Sequence, residues 1–247
     1  IFENDNSLPL VAPLIDARWE PSGPLFGGRL RLRGSSVALF RDAYVGGPVL
    51  RPEQIPTGST FGLPGVDSRR ISGQAEWRRT LISTAGVRWE PFVDLRTDIY
   101  SVADLPPMLG VDSATITRGR ATAGLDVSYP LVRRFAGGAD LVLEPVGQLS
   151  LSTDADLDPR IPNEDSQTLE LDESSLFRVD RFPGQDLYEG GLRLTAGTRA
   201  TLNWAGGRQA SLFVGRSLRL DEEPAFLVPV PDAPTQLYDP TGLAEKS

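Results

Sequence analysis

Hydrophobic and polar residues alternate one by one along much of this chain. Between Leu192 and Trp204, leucine, alanine and tryptophan take nearly every second position, and arginine, threonine and asparagine take most of the positions between them. A period of two is typical of a β-strand whose two faces meet different surroundings. Eight stretches share this pattern and predict strands at 8–20, 28–42, 67–80, 86–101, 115–130, 139–152, 189–204 and 208–220.

The connections between these predicted strands alternate strictly between short and long. The short ones are 21–27, 81–85, 131–138 and 205–207, and the long ones are 43–66, 104–114 and 153–188. In an up-and-down sheet, successive connections fall at opposite ends, so the short turns share one end and the long loops share the other. Outer-membrane barrels have this arrangement.

The predicted strands are also long. They span 13 to 16 residues, whereas strands average about 5–6 residues in globular proteins and need about 9–11 to cross a bilayer. We therefore predict an all-β fold, an antiparallel up-and-down wall segment of a large transmembrane β-barrel with about eight strands. As an excerpt of a larger barrel the sheet is expected to be open, with its first and eighth strands unpaired. The alternation also fits a soluble sandwich with its apolar face inward.

Composition removes several classes of function. The chain of 247 residues has no cysteine and no histidine, which excludes disulfides, thiolate metal sites and Ser-His-Asp chemistry within it. The net charge of −8 is concentrated between Thr153 and Glu189, where eleven acids accompany three bases. A basic surface for nucleic acid is therefore missing. The simplest interpretation of the acidic stretch is a solvated loop.

No group of residues stands out as an active site, and we predict that the chain is not an enzyme and uses no cofactor. Asp154, Asp156 and Asp158 have the spacing that opens a calcium loop, but Pro159 stands where the sharp turn needs glycine. They are a weak candidate for a divalent cation, and no metal site is predicted. Carboxylates near tryptophans leave a glycosidase as a remote alternative.

One face of the predicted strands is polar and carries charges of both signs. We expect its side chains to line the lumen of the barrel, and the candidates are Arg29, Arg31, Arg33, Arg118, Arg120, Asp126, Glu144, Gln148, Arg193 and Arg199. Arginines there could bind the phosphates of a substrate through charge-assisted hydrogen bonds. The alternative is that they pair with carboxylates of the lumen or of the loops.

The four tryptophans all lie within a few residues of a short turn. Together with one tyrosine they predict an interfacial aromatic girdle, formed by Trp19, Trp77, Trp89, Tyr129 and Trp204. Indole and phenol rings prefer the headgroup layer of a bilayer, because the ring is buried there while its polar atom stays wet. Aromatic residues also cap the ends of soluble sheets, which is the alternative interpretation.

The acidic connection holds the most specific motif of the chain. Residues 161–191 read IPNEDSQTLELDESSLFRVDRFPGQDLYEGG, and we call them the loop element. Its motif residues are Asn163, Asp165, Ser166, Leu176, Phe177, Arg181, Phe182, Gly184, Glu189, Gly190 and Gly191. The stretch resembles the LPS-assembly outer-membrane proteins, the LptD or OstA family, also called organic solvent tolerance proteins. Shorter likenesses, such as Tyr238 to Leu243, extend over nearly the whole chain.

The resemblance implies a lipopolysaccharide translocon in the outer membrane of a Gram-negative bacterium. In that family a large barrel, plugged by a lipoprotein, receives lipopolysaccharide from periplasmic bridge proteins and releases it into the outer leaflet. The implied partners are lipopolysaccharide, outer-membrane lipid, the plug lipoprotein and the bridge proteins. Residues 1–247 are then a partial outer-membrane β-barrel domain, an interior part of the C-terminal barrel without signal peptide, periplasmic domain or remaining strands. The alternatives are another outer-membrane barrel, such as a porin or receptor, and a soluble carbohydrate-binding β-sandwich.

The resemblance and the alternation lead to two structural expectations. The connection at 153–188 is too apolar for a disordered linker, so we expect it to fold over the mouth of the barrel or into its lumen. The apolar residues that carry this argument are Leu169, Leu171, Leu176, Phe177, Val179 and Phe182. On the apolar side, Leu192, Leu194, Ala196, Ala200 and Leu202 should be exposed when no lipid is present. An arginine at Ala196 should cost more stability than one at Thr195.

Overall fold

The computed structural model describes residues 9–42, 65–106, 109–155, 157–158, 160–166 and 172–222, together with strands 228–230 and 233–238. Its long strands are β1 (Leu10–Trp19), β2 (Arg29–Phe40), β3 (Asp67–Arg78), β5 (Arg88–Ala103), β6 (Ser113–Ser128), β8 (Asp140–Ser152), β9 (Gly191–Asn203) and β10 (Gln209–Arg219). The short elements are β4 (Leu81–Ile82), β7 (Leu131–Arg134), α1 (Glu173–Leu176), β11 (Val228–Val230) and β12 (Ala233–Tyr238). In the described part of the chain, no helix has the length and apolar character needed to span a bilayer.

The long strands form one antiparallel sheet in the order β1-β2-β3-β5-β6-β8-β9-β10, and β11 pairs with β12 in a separate hairpin. All eight predicted strands are confirmed, with ends within two residues of those expected. The sheet is open, because β1 and β10 do not pair. The predicted all-β, antiparallel, open fold is therefore confirmed. The assignment of the chain as part of a larger barrel domain stays a prediction.

Two strands are interrupted and then continue in the same register. β4 continues the pairing of β3 with β5, and β7 continues the pairing of β6 with β8. Each interruption lies opposite a proline of the partner strand, since Arg79 N donates to Pro91 O at 3.1 Å and Tyr129 N donates to Pro145 O at 3.1 Å. A proline lacks the N–H that would complete the ladder there. The hairpins are therefore longer than expected, and the second and third short turns are 83–87 and 135–139.

The sheet buries its charged face and exposes its apolar face, which is the reverse of the arrangement in a soluble protein. Along β5 and β6, Asp94, Asp98, Arg118, Arg120 and Thr122 are at most 6 % exposed, whereas the residues that alternate with them are mostly exposed. We call the covered face the polar face. Charged residues are rarely buried unless they are paired, so something must cover and neutralise this face.

The opposite face, which we call the apolar face, is bare. Its exposed side chains include Ile71, Val93, Leu95, Ile99, Leu149, Leu151, Leu194, Leu212 and Val214, which are 38–67 % exposed. Ala196 is exposed as well, so the predicted exposure is confirmed for Leu194 and Ala196. It is wrong for Leu192, Ala200 and Leu202, which are half-buried. A soluble sandwich requires these side chains to be covered by a second sheet, and the structure shows the reverse.

The structure corrects the expectation for Thr195. Its side chain is fully buried on the polar face, and its Oγ1 lies 3.0 Å from Ser217 Oγ. An arginine there would be forced into space that is already filled, at a cost of about 1–3 kcal/mol or more. Thr195 is therefore not the tolerant position that alternation alone indicates.

Two neighbouring residues of β3 test which face meets lipid. Ala75 lies on the apolar face, and Gln74 lies on the polar face, where its Nε2 donates to Asp94 Oδ2 at 2.5 Å. We predict that Ala75→Arg lowers the free energy of unfolding from a bilayer by about 2–4 kcal/mol. Gln74→Arg should cost less, because its charge stays on the polar face, where the carboxylate of Asp94 offsets the register partners Arg33 and Arg96. Urea unfolding from lipid vesicles, followed by tryptophan fluorescence, measures both, and equal losses would contradict a lipid-facing wall.

Candidate functional site

The loop element lies against the polar face instead of extending into solvent. Its described parts, 161–166 and 172–191, form hydrogen bonds with side chains of β3, β5, β6, β8, β9 and β10. Phe182 is 3 % exposed, and Leu176 is buried as well. The expectation that this connection is ordered by contacts is confirmed for these residues. That it lies over the mouth or in the lumen of a barrel stays a prediction.

The register of the sheet places all ten polar candidates on the polar face. Four of them are buried and bond the loop element, namely Arg118, Arg120, Gln148 and Arg193. The other six lie nearer the short turns, namely Arg29, Arg31, Arg33, Asp126, Glu144 and Arg199. That the polar face lines a lumen stays a prediction.

Most of the six candidates nearer the turns pair with charges of the wall itself. Arg29 and Arg31 approach Glu20 at 3.1 and 3.6 Å, and Arg31 also binds Glu76 at 3.2 Å. Asp126 binds Arg78 at 2.8 Å and accepts from Gln148 at 2.8 Å, and Arg199 binds Glu144 at 2.8 Å. Arg33 is exposed and has no ion pair among the described residues. Pairing with carboxylates, the alternative to substrate contact, therefore holds for most of these candidates.

Asp186 is the first of two acidic centres in the loop element. Its Oδ1 accepts hydrogen bonds from Arg70 at 2.5 Å and from Tyr100 Oη at 2.9 Å, and its Oδ2 accepts from two backbone N–H groups of the same element. Arg118 donates to the backbone carbonyl of Asp186 at 2.5 Å. Burial and the nearby Asp165 carboxylate raise the pKa of Asp186, although Arg70 opposes the shift. This centre attaches the loop element to β3, β5 and β6.

The Asn-x-Asp-Ser motif joins two separate parts of the loop element. Asn163 Oδ1 accepts from the backbone N–H of Ser166 at 2.9 Å, which closes a tight turn. Asp165 Oδ1 then accepts from the backbone N–H groups of residues 185 and 186 at 2.8 and 2.9 Å. The motif needs Gly184, because a β-carbon there would collide with Asp165.

Glu189 is the second acidic centre, and it is 2 % exposed. Its Oε2 accepts from Arg181 Nε at 2.6 Å and from Arg193 at 2.9 Å, and its Oε1 accepts from Arg219 at 3.2 Å. The carbonyl of Gly190 accepts from Arg219 as well, at 3.2 Å. Burial alone would raise the pKa of Glu189, but the hydrogen bond from Arg181 and the surrounding cations lower it below its ordinary value.

Asp180 precedes both centres in the sequence and binds Arg120, which also binds Asp94 at 2.9 Å. Burial raises the pKa of Asp180 to about 6, with Arg120 opposing the shift and Glu189 adding to it. The simple interpretation of the acidic stretch as a solvated loop is wrong here, because Asp186 and Glu189 are buried ion-pair partners. It holds for the exposed Asp172 and Glu173 at the start of α1.

The remaining motif residues lie next to α1 and at the start of β9. Asp172 caps α1 through a hydrogen bond from Ser175 N at 2.7 Å, which sets the direction of the chain before Leu176. Phe177 packs edge-on against Phe213 of β10, with ring centroids 6.0 Å apart. At the other end, Gly191 begins β9 with a φ of +78°, a conformation that favours glycine.

The aromatic candidates lie in the part of the sheet nearest the short turns. Four of them are exposed, namely Trp19, Trp89, Tyr129 and Trp204. Trp77 is half-buried, and its Nε1 donates to the carbonyl of Leu25 in the first short turn at 2.8 Å. The register places Trp19 and Trp89 on the apolar face, through their partners Leu32 and Val127. Their role as an interfacial girdle stays a prediction.

The weak metal candidate gains no support from the described residues, among which no group of three acids, histidines or cysteines is placed to hold a metal ion. Asp158 binds Arg160 through two hydrogen bonds of 2.9 and 2.6 Å. The backbone carbonyl of Asp154 accepts from Tyr188 Oη at 3.2 Å. Asp156, Leu169 and Leu171 lie outside the described residues.

An open antiparallel sheet with a bare apolar face and a loop bound to its charged face is now established. The family model described as LPS transport system D, LptD, matches residues 1–244. The chain belongs to the LptD family. A comparison with curated proteins found no match. Membership in the LptD family assigns the chain to lipopolysaccharide transport, with lipopolysaccharide as substrate.

Several residues that hold the LptD loop element in place were not among the candidates from the sequence. They are Arg70, Asp94, Asp98, Tyr100, Asp186 and Arg219. The alternation could have placed four of them on the polar face, because they occupy the polar positions of their strands, namely Arg70, Asp94, Asp98 and Arg219. The pairing of strand arginines with particular loop carboxylates has no sequence signal, because it depends on tertiary contacts.

Removing the charge of Glu189 tests the second acidic centre. Glu189→Gln leaves Arg181, Arg193 and Arg219 around a neutral group in a buried place. We predict a loss of about 3–5 kcal/mol in the free energy of unfolding, because a buried charge without its partner is costly. Urea unfolding measures the loss, and faster tryptic cleavage after the exposed Arg178 would report local release of the loop element.

Glu173→Gln is the matched control for that experiment. Glu173 also binds an arginine, Arg199, but both side chains are about 40 % exposed. We expect a loss below about 1 kcal/mol and unchanged cleavage, as for other exposed ion pairs. Similar effects of the two substitutions would show that burial of Glu189 does not matter.

The raised pKa of Asp180 predicts a pH dependence. Because its folded-state pKa of about 6 lies above the ordinary value of 3.8, the folded protein keeps a proton that the unfolded chain loses between these values. The stability contributed by this proton is present at low pH and is lost as the pH rises from about 4 to 6. The free energy of unfolding should therefore decline by up to about 3 kcal/mol over this pH range, and Asp180→Asn should abolish the decline. Unfolding midpoints at pH 4, 5, 6 and 7 test this, and parallel curves for both proteins would contradict it.

Proposed function

We propose that this chain forms part of the wall of an outer-membrane translocon that places lipopolysaccharide in the outer leaflet, without enzymatic chemistry. The inverted burial of the sheet is the observation that supports this most. Asp94, Arg118 and Arg193 are covered, while Leu95 and Leu212 are bare. In water the apolar face would be a large aggregation-prone surface, whereas in a bilayer the same side chains contact lipid acyl chains.

The polar face is covered at one end and open at the other, which supports a path for lipopolysaccharide along it. The loop element fills the part nearer the long loops. Nearer the short turns the polar face borders two hollows of about 560 and 370 Å³. Charged side chains of both signs line them, namely Glu20, Arg29, Arg78, Arg88, Glu90, Asp126, Glu144, Glu173 and Arg199. If the short turns face the periplasm, as in other outer-membrane barrels, lipopolysaccharide enters at the open end and the loop element covers the outer end.

The arginines of the open part fit the phosphates of lipopolysaccharide. Arg33 has no ion pair in the described structure, and Arg29 and Arg88 are exposed. A guanidinium binds phosphate through two parallel hydrogen bonds, so these side chains can guide an anionic lipid without holding it permanently. The family resemblance adds a plug lipoprotein and periplasmic bridge proteins as proposed partners, and outer-membrane lipid as the partner of the apolar face.

The rival function within the same fold is a porin or a receptor. A porin keeps a water-filled passage, whereas here the loop element covers the polar face of six strands through hydrogen bonds and buried ion pairs. This arrangement favours a controlled passage over an open pore. The rival predicts that solute uptake, and not lipopolysaccharide export, depends on the protein.

Depletion of the full protein in its own bacterium distinguishes these functions. We predict that pulse-labelled lipopolysaccharide stops appearing at the cell surface and that the wild-type gene restores it. Arg33→Glu should slow export several-fold, because a carboxylate on the open path repels phosphate. Arg134→Glu, at the exposed end of β7 next to the third short turn, should restore export fully. Normal export after depletion, together with changed solute uptake, would favour the porin.

A further inference from the structure

Arg69 is an exposed arginine on the apolar face of the sheet. Its register partners are Ala38 on β2 and Ser101 on β5, so its side chain stands on the same side as the leucine and isoleucine residues. Within the described part of the chain it has no carboxylate partner. Its guanidinium carbon instead lies 5.4 Å from the centre of the Phe40 ring. The ring holds the charge near the wall.

A groove of about 460 Å³ lies beside Arg69. It runs over the small side chains Ser36 and Ala38 and is bordered by Pro13 on one side and by Ile71 and Ile99 on the other. The described lining offers hydroxyl groups and a guanidinium, but no carboxylate. A surface with this lining is complementary to a molecule that has both an anionic group and an apolar chain.

The position of Arg69 along β3 corresponds to the far edge of a bilayer. Eight residues separate it from Trp77, which contacts the first short turn through the carbonyl of Leu25. At about 3.4 Å per residue this is about 27 Å along the strand, or about 21 Å along the membrane normal for a strand tilted by about 40°. The apolar band of an outer-membrane barrel is about 25 Å tall. Arg69 is therefore close to the headgroup level on the side of the long loops.

We propose that Arg69 and this groove bind lipid A, the phosphorylated lipid of lipopolysaccharide, in the outer leaflet. The guanidinium takes a phosphate, and an acyl chain lies along Ile71 and Ile99. The inference rests on the proposed function, because only then does this end of the apolar face meet lipopolysaccharide. Charge supports it independently, because an unpaired arginine at a bilayer surface gains most from an anionic headgroup.

The test measures lipid carried by the full purified protein in detergent, by native mass spectrometry. The probes are lipid A with two phosphates, lipid A without phosphate, phosphatidylglycerol and inorganic phosphate. We expect the wild type to bind bisphosphorylated lipid A more tightly than the other probes. Arg69→Ala should weaken that binding by about tenfold, since charge-assisted hydrogen bonds are lost, and Arg69→Lys should restore part of it. Equal binding by wild type and Arg69→Ala would overturn the site, and preference for phosphatidylglycerol would overturn the choice of lipid A.

Arg133→Ala is the matched control. Arg133 is also exposed and also lies over an aromatic ring, that of Phe135 at 5.3 Å, but it belongs to the short-turn end. Its removal should leave the binding of lipid A unchanged, and an equal loss there would mean that any surface arginine suffices.

A cysteine reporter separates failure of the site from failure of the proposed function. This chain has no native cysteine, so Ile99→Cys is the only one in it. In membranes this cysteine should resist a water-soluble maleimide. If it resists but Arg69→Ala binds lipid A normally, the site is wrong and the lipid-facing wall stands. If it reacts freely, the wall itself is wrong.

Discussion

Ion pairing between strand arginines and loop carboxylates is the interaction on which the rest of the structure depends. Burying a single charge costs several kcal/mol, and only close partners with complete hydrogen bonding compensate for it. Asp186 collects Arg70, Tyr100 and Arg118 from three neighbouring strands, and Glu189 collects arginines from two more. Each acidic centre therefore links neighbouring strands through side chains, in addition to the backbone hydrogen bonds between the strands. The loop element is a structural part of the wall.

Apolar packing supports this pairing at one end of the sheet. Val66, Val102, Leu105, Ile116 and Ile161 form a hydrophobic cluster around Tyr100, whose hydroxyl donates to Asp186. By excluding water, the cluster lowers the local dielectric and strengthens the hydrogen bonds beside it. The same exclusion would make those charges costly if a partner were lost. Packing and pairing on the polar face are thus interdependent, while the apolar face contributes stability only when lipid covers it.

The strands and their faces could be predicted because each depends on residues close in sequence. A period of two, and arginine on one phase of it, are local properties of β2, β6 and β9. The covering of the polar face could not be predicted in the same way. Counting charges identified an acidic loop, but burial decides whether Asp186 and Glu189 are solvated, and burial depends on strands far away in the chain. Thr195 failed as a tolerant position for the same reason, and the interruptions opposite Pro91 and Pro145 needed the register.

The arginines divide according to whether a carboxylate faces them. Four buried arginines bind the loop element, namely Arg70, Arg118, Arg120 and Arg193. If they bound a phosphate instead, the loop element would be released from the wall. Arg33 on the polar face and Arg69 on the apolar face carry the same charge with no carboxylate partner in the described structure. An anionic lipid can therefore bind at these two places without breaking an existing ion pair. They lie at different heights on the wall, because Arg33 pairs in register with Gln74, five residues along β3 from Arg69 towards the short turns. On the proposed path, an anionic lipid would therefore meet Arg33 before it meets Arg69.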